Sequence, residues 1–261
     1  MTAHHKSQQI LAGLALAGQV AMNQVPDQQK VLGEQTEQVQ ELKRDILETE
    51  HQEILSKLSA FVNYPAGHLE RETELYLEQQ LSEMMGFNVR SELEGQRLNH
   101  SIGIMGAEQH LMRFPGDQLA DHDAYREAGI APNRGAFSWF TENGQLTEKS
   151  IQMEKYYFAA QLMYLPDWST NYPHLKPWYK FRKMVVINPA EKMAVVGVIG
   201  DAGPAMWVQK QFGGSPEVIR EGKIWSQASK GKVMLLFIDD PQDEVPLGPI
   251  NLDFNTLYDQ S

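Results

Sequence analysis

Apolar residues repeat at helical spacing near the start of the chain. Residues 28–62 are rich in Gln, Glu and Lys, and Leu32, Val39 and Ile46 follow one another at intervals of seven. Such heptad spacing predicts one long helix. Because the run of heptads is short, two interpretations stay open: a coiled coil that joins copies of the chain, or an amphipathic helix packed on its own domain.

A second helical pattern follows a break at 64–68, where the sequence is Tyr-Pro-Ala-Gly-His. It stops at Gly86, and a glycine just beyond the apolar periodicity is typical of a helix C-terminus. Residues 28–86 are therefore predicted to form a helical arm. The short apolar run within 1–27 fits either a weak signal sequence or a disordered start, and the mixed segment 87–133 is predicted to be a linker or a helical hairpin.

Beyond Gly135 the pattern changes to short runs of β-branched and aromatic residues, each ended by Pro, Gly or Asp. The runs are GAFSWF at 135–140, KMVVINP at 183–189, MAVVGVIGDAGP at 193–204 and KVMLLFIDDP at 232–241, and SPEVIREG at 215–222 predicts a brief helix with a serine cap. The region is therefore mainly β, with too few strands for a large sandwich. A small closed barrel at 134–240, followed by a tail at 241–261, is the simplest arrangement because closure leaves no free edge.

Taken in order, five of these pieces resemble the double-psi β-barrel of the rare lipoprotein A family, which is related to the expansins. The pieces are GAFSWF, FAAQLMYLP, VVINPAEKMAVVGVIGDAGP, GGSPEVIREG and GKVMLLFIDDP. The resemblance covers residues 134–239. It implies an α+β fold in which a small six-stranded double-psi barrel follows the helical N-terminal region.

The resemblance also implies an activity, the lytic cleavage of peptidoglycan glycan strands by a lytic transglycosylase. Asp201 matches the family's aspartate in Asn-Asp-Arg-Gly-Pro and would be the acid/base. Gln161 stands at the family's histidine position, where an amide cannot shuttle protons. Gln145 follows Asn-Gly at the glutamate position, with Glu142 and Glu148 nearby as substitutes.

Aromatic and basic residues mark a candidate wall for a sugar-binding groove. Flat rings suit sugar faces, and cations suit the carboxylates of muramic acid or of stem peptides. The residues predicted to contact substrate are Trp139, Trp178, Tyr179, Lys183, Trp207 and Lys210. All five tryptophans of the chain lie in this second half, whereas most of the net negative charge lies in the first half.

Composition removes several classes of function. The net charge of −11 and the lack of a basic stripe argue against nucleic-acid binding. The absence of cysteine excludes disulfides and thiolate chemistry. No stretch reaches the roughly 18–20 apolar residues of a membrane-spanning helix.

One segment suggests a metal site by its composition. It contains His110, Asp117, Asp121, His122 and Asp123. Their spacing matches no standard ligand pattern, so we expect a solvated loop here, and neither a metal nor another cofactor.

The sequence thus predicts a cell-envelope or extracellular protein that acts on or binds peptidoglycan or another polysaccharide. The alternative is a non-catalytic barrel, either glycan-binding or structural, that forms homo-oligomers through residues 28–62. A cytoplasmic interaction protein is the third interpretation, because the N-terminal signal is weak.

Overall fold

The computed structural model describes residues 26–122, 124–225 and 230–258, with side chains from residue 33 onward. The helices are α1 (Pro26–Phe61), α2 (Arg71–Met85), α3 (Glu148–Lys155), α4 (Tyr172–Tyr179), α5 (Pro216–Glu221) and α6 (Phe254–Tyr258). The strands are β1 (Val89–Arg90), β2 (Glu92–Leu93), β3 (Gln96–Arg97), β4 (Ile102–Ala107), β5 (Tyr157–Ala160), β6 (Lys183–Asn188), β7 (Met193–Asp201), β8 (Phe212–Gly214), β9 (Lys230–Ile238) and β10 (Gly248–Asn251). The weak signal sequence or disordered start was predicted for residues 1–27, and of these residues 1–25 lie outside the described ones.

Two compact units divide the chain, Met1–Glu50 and His51–Ser261. The described part of the first unit belongs to α1. That helix is continuous over 36 residues, which confirms the long helix predicted from the heptads. Its role in self-association stays a prediction.

Six strands of the second unit close into a β-barrel. Around the barrel the order is β9-β4-β8-β5-β7-β6, and β6 returns to pair with β9. The pairs β4–β8 and β5–β7 are parallel, and the other barrel pairs are antiparallel. The mixed α+β fold with a closed six-stranded barrel agrees with the fold class predicted from the sequence.

Both faces of the barrel strands are buried, which explains their nearly continuous apolar sequence. Along β7, Val195 and Ile199 point into the barrel core with Phe158, while Val196 points outward. The outward residues are covered by a second cluster that includes Leu58 of α1 together with residues of α2. The helices of this unit thus shield the barrel from water.

Local turn chemistry agrees with the sequence patterns. Gly86 ends α2 in a left-handed conformation, with φ at 75°. β6 and β7 form a hairpin across Pro189–Glu191. Ser215 caps α5 by accepting a hydrogen bond from the backbone N–H of Val218.

The barrel begins earlier in the chain than the residue 134 boundary drawn from the sequence. Its first strand is β4, with the sequence Ile-Gly-Ile-Met-Gly-Ala, whereas 135–140 forms turns. The glycines that weaken the β pattern are needed for packing: a Cβ at Gly103 would lie 2.9 Å from the side chain of Gln211, and one at Gly106 2.9 Å from that of Lys210. At the other end of the chain, β10 adds a strand to β7 from within the predicted tail.

Among the described residues, no helix combines the length and apolar character needed to cross a membrane.

Candidate functional site

Asp201 ends β7 at one opening of the barrel. In the parallel pairing of β5 with β7, Ala159 lies opposite Asp201, and Gln161 follows two residues later. The register shifts between Phe158 and Ala159, so Asp201 does not continue the alternation that places Ile199 in the barrel core. The register therefore brings Asp201 and Gln161, the two positions matched to the resembled family, to the same end of the barrel.

The carboxylate of Asp201 is half-buried and held from one side. Its Oδ1 accepts a hydrogen bond of 2.8 Å from the backbone N–H of Ala136. Within the part of the chain that the structure describes, its Oδ2 carries no hydrogen bond. This oxygen is therefore available to a ligand at the barrel opening.

Gln161 ties the loop after Asp201 to the end of β5. Its side chain is buried, and its Nε2 donates to the carbonyl oxygen of Lys210 at 3.2 Å. The ammonium of Lys210 bonds in turn to the carbonyl oxygen of Ala107 at 2.9 Å and to Oε1 of Glu108 at 2.8 Å. Lys210 thus fastens the loop to the end of β4, with its charge neutralised by a carboxylate.

Trp207 is the most exposed aromatic residue on this loop. Its exposed fraction is 81%, and the neighbouring Met206 is exposed by 64%. The backbone N–H of Met206 donates to the hydroxyl of Tyr164 at 3.3 Å, so the exposed turn is anchored near Gln161. We call Asp201, Gln161, Tyr164, Trp207 and Lys210 the barrel mouth.

Three of the other residues predicted to bind substrate, Trp178, Tyr179 and Lys183, lie in the barrel core or in a separate cavity. Tyr179 is fully buried in the barrel core, where its hydroxyl donates to the carbonyl oxygen of Arg97 at 2.7 Å. It is therefore a packing residue and not part of a groove wall. The guanidinium carbon of Arg134 lies over the ring of Trp139, 5.7 Å from the ring centre.

A separate cavity of about 790 Å³, the side cavity, opens on the flank of the barrel. Glu142, Trp178 and Lys183 line it, together with apolar residues such as Val198, and Asp201 is not among its described lining residues. Glu142 accepts a hydrogen bond from the hydroxyl of Thr147 at 3.0 Å. The predicted auxiliary carboxylates are thus not gathered around Asp201.

Glu148, the other predicted auxiliary carboxylate, begins α3 and is exposed.

Charged groups in the side cavity neutralise one another. Lys183 Nζ lies 2.5 Å from Oδ2 of Asp240 and 2.6 Å from Oδ1 of Asp243. Burial alone would raise the pKa of Asp240, but hydrogen bonds from Lys183 and from backbone N–H groups lower it. Lys149 and Lys183 lower the pKa of Asp243. These ion pairs brace the wall of the cavity.

A third polar feature, the His–Glu cluster, consists of His110, His122 and Glu154. Nδ1 of His110 lies 3.4 Å from Oε1 of Glu154, and Nδ1 of His122 lies 3.2 Å from Oε2 of the same carboxylate. All three side chains are at most 2% exposed. Burial opposes charge on both His110 and Glu154, yet their mutual contact raises the pKa of His110 and lowers that of Glu154.

The prediction of a solvated loop around these histidines is wrong, because His110, Asp117 and His122 are all buried. Asp117 receives hydrogen bonds from the backbone N–H and the guanidinium of Arg113. The sequence pattern did not reveal the cluster because its third member, Glu154, lies in α3, more than thirty residues after His122. Asp121 is exposed, and Asp123 lies outside the described residues.

The chain was compared with protein families, curated proteins and solved structures. It matches no protein-family model, no curated protein and no solved structure. The barrel mouth, the side cavity and the His–Glu cluster therefore carry the functional argument.

Proposed function

We propose that the barrel mouth binds glycan strands of peptidoglycan and that the protein works in the cell envelope. The observation that carries this proposal is Trp207, which is 81% exposed and lies six residues beyond Asp201. Trp207 forms a contiguous exposed apolar patch with Met206 and Val208, and such patches mark binding surfaces more often than single exposed side chains do. The loop that carries this ring begins at Asp201, whose Oδ2 has no hydrogen bond among the described residues.

The chemistry of the mouth suits a sugar polymer. An indole face stacks on the apolar face of a pyranose ring, and a carboxylate oxygen accepts hydrogen bonds from sugar hydroxyls. The loop that presents Trp207 is held on either side of this residue, by Tyr164 through Met206 and by Gln161 through Lys210. A loop fixed before binding loses little conformational entropy when a strand docks.

We also propose that the barrel is a double-psi barrel of the rare lipoprotein A type. The support for this assignment is the order of the resembling pieces along the chain and a closed barrel with two parallel strand pairs. The placement of Asp201 and Gln161 at one barrel end is compatible with that assignment.

Lytic cleavage is the second candidate function, favoured by Oδ2 of Asp201, which has no hydrogen bond in the described part of the chain. As an acid, Asp201 would protonate the glycosidic oxygen while the bond from that oxygen to C1 breaks. As a base, it would then remove the proton of the sugar's own 6-hydroxyl while a bond forms from O6 to C1, leaving an anhydro sugar and no net proton change. Gln161 in place of a histidine makes binding without cleavage the first candidate.

A sacculus assay tests both candidates. Purified murein sacculi are mixed with the wild-type protein, Trp207→Ala, Asp201→Asn and the control Trp225→Ala, which removes an exposed tryptophan outside the mouth. We expect Trp207→Ala to weaken co-sedimentation about tenfold or more, as loss of an anchoring aromatic does, and Trp225→Ala to bind normally. Mass spectrometry of the supernatant would reveal anhydro-muropeptides if the protein cleaves, and Asp201→Asn would abolish them.

The proposal fails if the wild-type protein stays in solution, or if both tryptophan variants sediment as the wild type does. Sedimentation without anhydro-muropeptides would exclude lytic cleavage and retain binding.

A further inference from the structure

The two histidines of the His–Glu cluster each have one ring nitrogen whose role is fixed by its partner. Nε2 of His110 lies 3.0 Å from the carbonyl oxygen of Ala124, and Nε2 of His122 lies 3.2 Å from Oδ2 of Asp117. A carbonyl oxygen accepts hydrogen bonds only. Asp117 is kept ionised by Arg113, so it too accepts. Both Nε2 atoms are therefore the donors.

In neutral imidazoles this assignment leaves the lone pair of each Nδ1 directed at Glu154. The Nδ1 atoms lie 3.4 and 3.2 Å from its two carboxylate oxygens, longer than the usual contact between a charged donor and a carboxylate. Oε2 of Glu154 has no hydrogen bond among the described residues despite the nearby Nδ1 of His122. Lone pairs that face a carboxylate at this distance need a cation between them, either a proton on Nδ1 or a metal ion.

The spacing of these atoms fits a metal ion. One ligand atom from each of the three side chains lies within 4.8 Å of the others. Nitrogen and oxygen ligands about 2.0–2.1 Å from a tetrahedral ion stand roughly 3.3–3.4 Å apart. Histidine ligands commonly donate their second nitrogen to a carbonyl or carboxylate, as His110 and His122 do here.

Glu217 supplies an independent observation. Its side chain is fully buried, and neither carboxylate oxygen has a hydrogen-bond partner among the described residues. It is close enough to His110 and Glu154 to interact with their charges. A buried carboxylate without a partner is costly unless a cation balances it.

We propose that His110, His122 and Glu154 bind a divalent first-row transition-metal ion such as Zn²⁺, with the buried carboxylate of Glu217 nearby to balance its charge. Two imidazoles and one carboxylate without sulfur suit Zn²⁺ and its neighbours, and the charges of Glu154 and Glu217 together balance the ion. The three ligands join the 110–122 loop to α3, so a bound ion stabilises this part of the structure. This inference is independent of glycan binding.

Metal-free protein, prepared by dialysis against a chelator, provides the first test. The parent protein for this test has the substitutions His4→Gln and His5→Gln, so that the adjacent histidines near the start of the sequence cannot bind the metal. We expect one Zn²⁺ per chain by mass spectrometry of metal content. We also expect the Tm to rise by roughly 5–10 °C at about 100 times the Kd, and Co²⁺ to give the visible absorption of a tetrahedral site.

Variants locate the ion. Glu217→Gln should weaken Zn²⁺ binding by about 10–100-fold or more, and His122→Gln should abolish stoichiometric binding. His174→Gln, the control, changes an exposed histidine outside the cluster and should bind as the parent does.

If His122→Gln fails to fold, as circular dichroism would reveal, Glu217→Gln and the Co²⁺ spectrum decide the question. No bound Zn²⁺, no change in Tm, or equal affinity in the parent protein and Glu217→Gln would overturn the proposed site.

Discussion

Gly197→Ala is expected to lower the free energy of unfolding by about 3 kcal/mol or more. Gly197 lies in β7, on the side that faces the barrel interior. A Cβ there would lie 2.1 Å from the carbonyl oxygen of Tyr156 and 2.8 Å from the ring of Phe158. The same carbonyl accepts the N–H of Val198 at 2.9 Å, so relief of the clash would disturb the pairing of β5 with β7. Denaturant unfolding measures the loss.

Gly67→Ala is the matched control, since no heavy atom lies within 4 Å of a Cβ at that position. Its stability should stay the same or rise by about 0.4–1 kcal/mol, because alanine restricts the unfolded chain. If Gly197→Ala unfolds at the same denaturant concentration as the wild type, the packing of β5 against β7 described above is incorrect.

Lys183→Met is expected to destabilise the protein by about 3 kcal/mol at neutral pH, the cost of leaving the buried carboxylate of Asp240 without its cation. Lys183 Nζ lies within 2.6 Å of oxygens of both Asp240 and Asp243, and the side chain of Asp240 is only 6% exposed. Methionine keeps the length of the side chain and removes its charge. Chemical denaturation at a series of pH values measures the effect.

The effect of Lys183→Met should shrink in acid. The folded state holds the pKa values of Asp240 and Asp243 below their ordinary range. Depressed pKa values contribute stability above the unfolded pKa of about 3.9, and this contribution is lost as the pH falls through the folded pKa. The difference between wild type and variant is therefore largest near pH 7 and smaller below about pH 4.

Lys180 is an exposed lysine of the same cavity wall, and its described contact is with the ring of Phe181. Lys180→Met, the control, should therefore lower the free energy of unfolding by less than about 1 kcal/mol. A difference between wild type and Lys183→Met that grows as the pH falls would contradict the ion-pair account.

Features set by short-range chemistry could be predicted from the sequence. The heptads give α1, Gly86 ends α2, and Ser215 caps α5, because each depends on neighbours within a few residues. The β6–β7 hairpin belongs to the same group, since its turn residues and strand lengths are local. The closed barrel follows from these runs because their apolar side chains need covering on both faces.

Features that depend on distant partners could not be predicted. The glycines of β4 weaken its β pattern in the sequence. They are required because the side chains of Gln211 and Lys210, about a hundred residues later, pack against them. His110 and His122 look like loop residues until Glu154 is placed beside them. Tyr179 lies in an aromatic, basic segment that suggests a binding surface, yet its position on α4 turns it into the core.

The candidate site was predictable only in part, for the same reason. Asp201 could be placed at a strand end because β7 is a long apolar run followed by turn residues. Its neighbours depend on the parallel pairing of β5 with β7, which the sequence does not specify locally. The exposure of Trp207 likewise depends on how the loop is anchored to Tyr164.

The central claim is that the barrel mouth binds glycan strands, and hydrogen-exchange mass spectrometry tests it most directly. The amide exchange of the full chain would be followed with and without soluble peptidoglycan fragments of several sugars. We predict slower exchange on binding in residues 161–164 and 201–211, which carry the mouth. Slower exchange only around the side cavity at 239–247, or no change anywhere with fragments in excess, would contradict the claim.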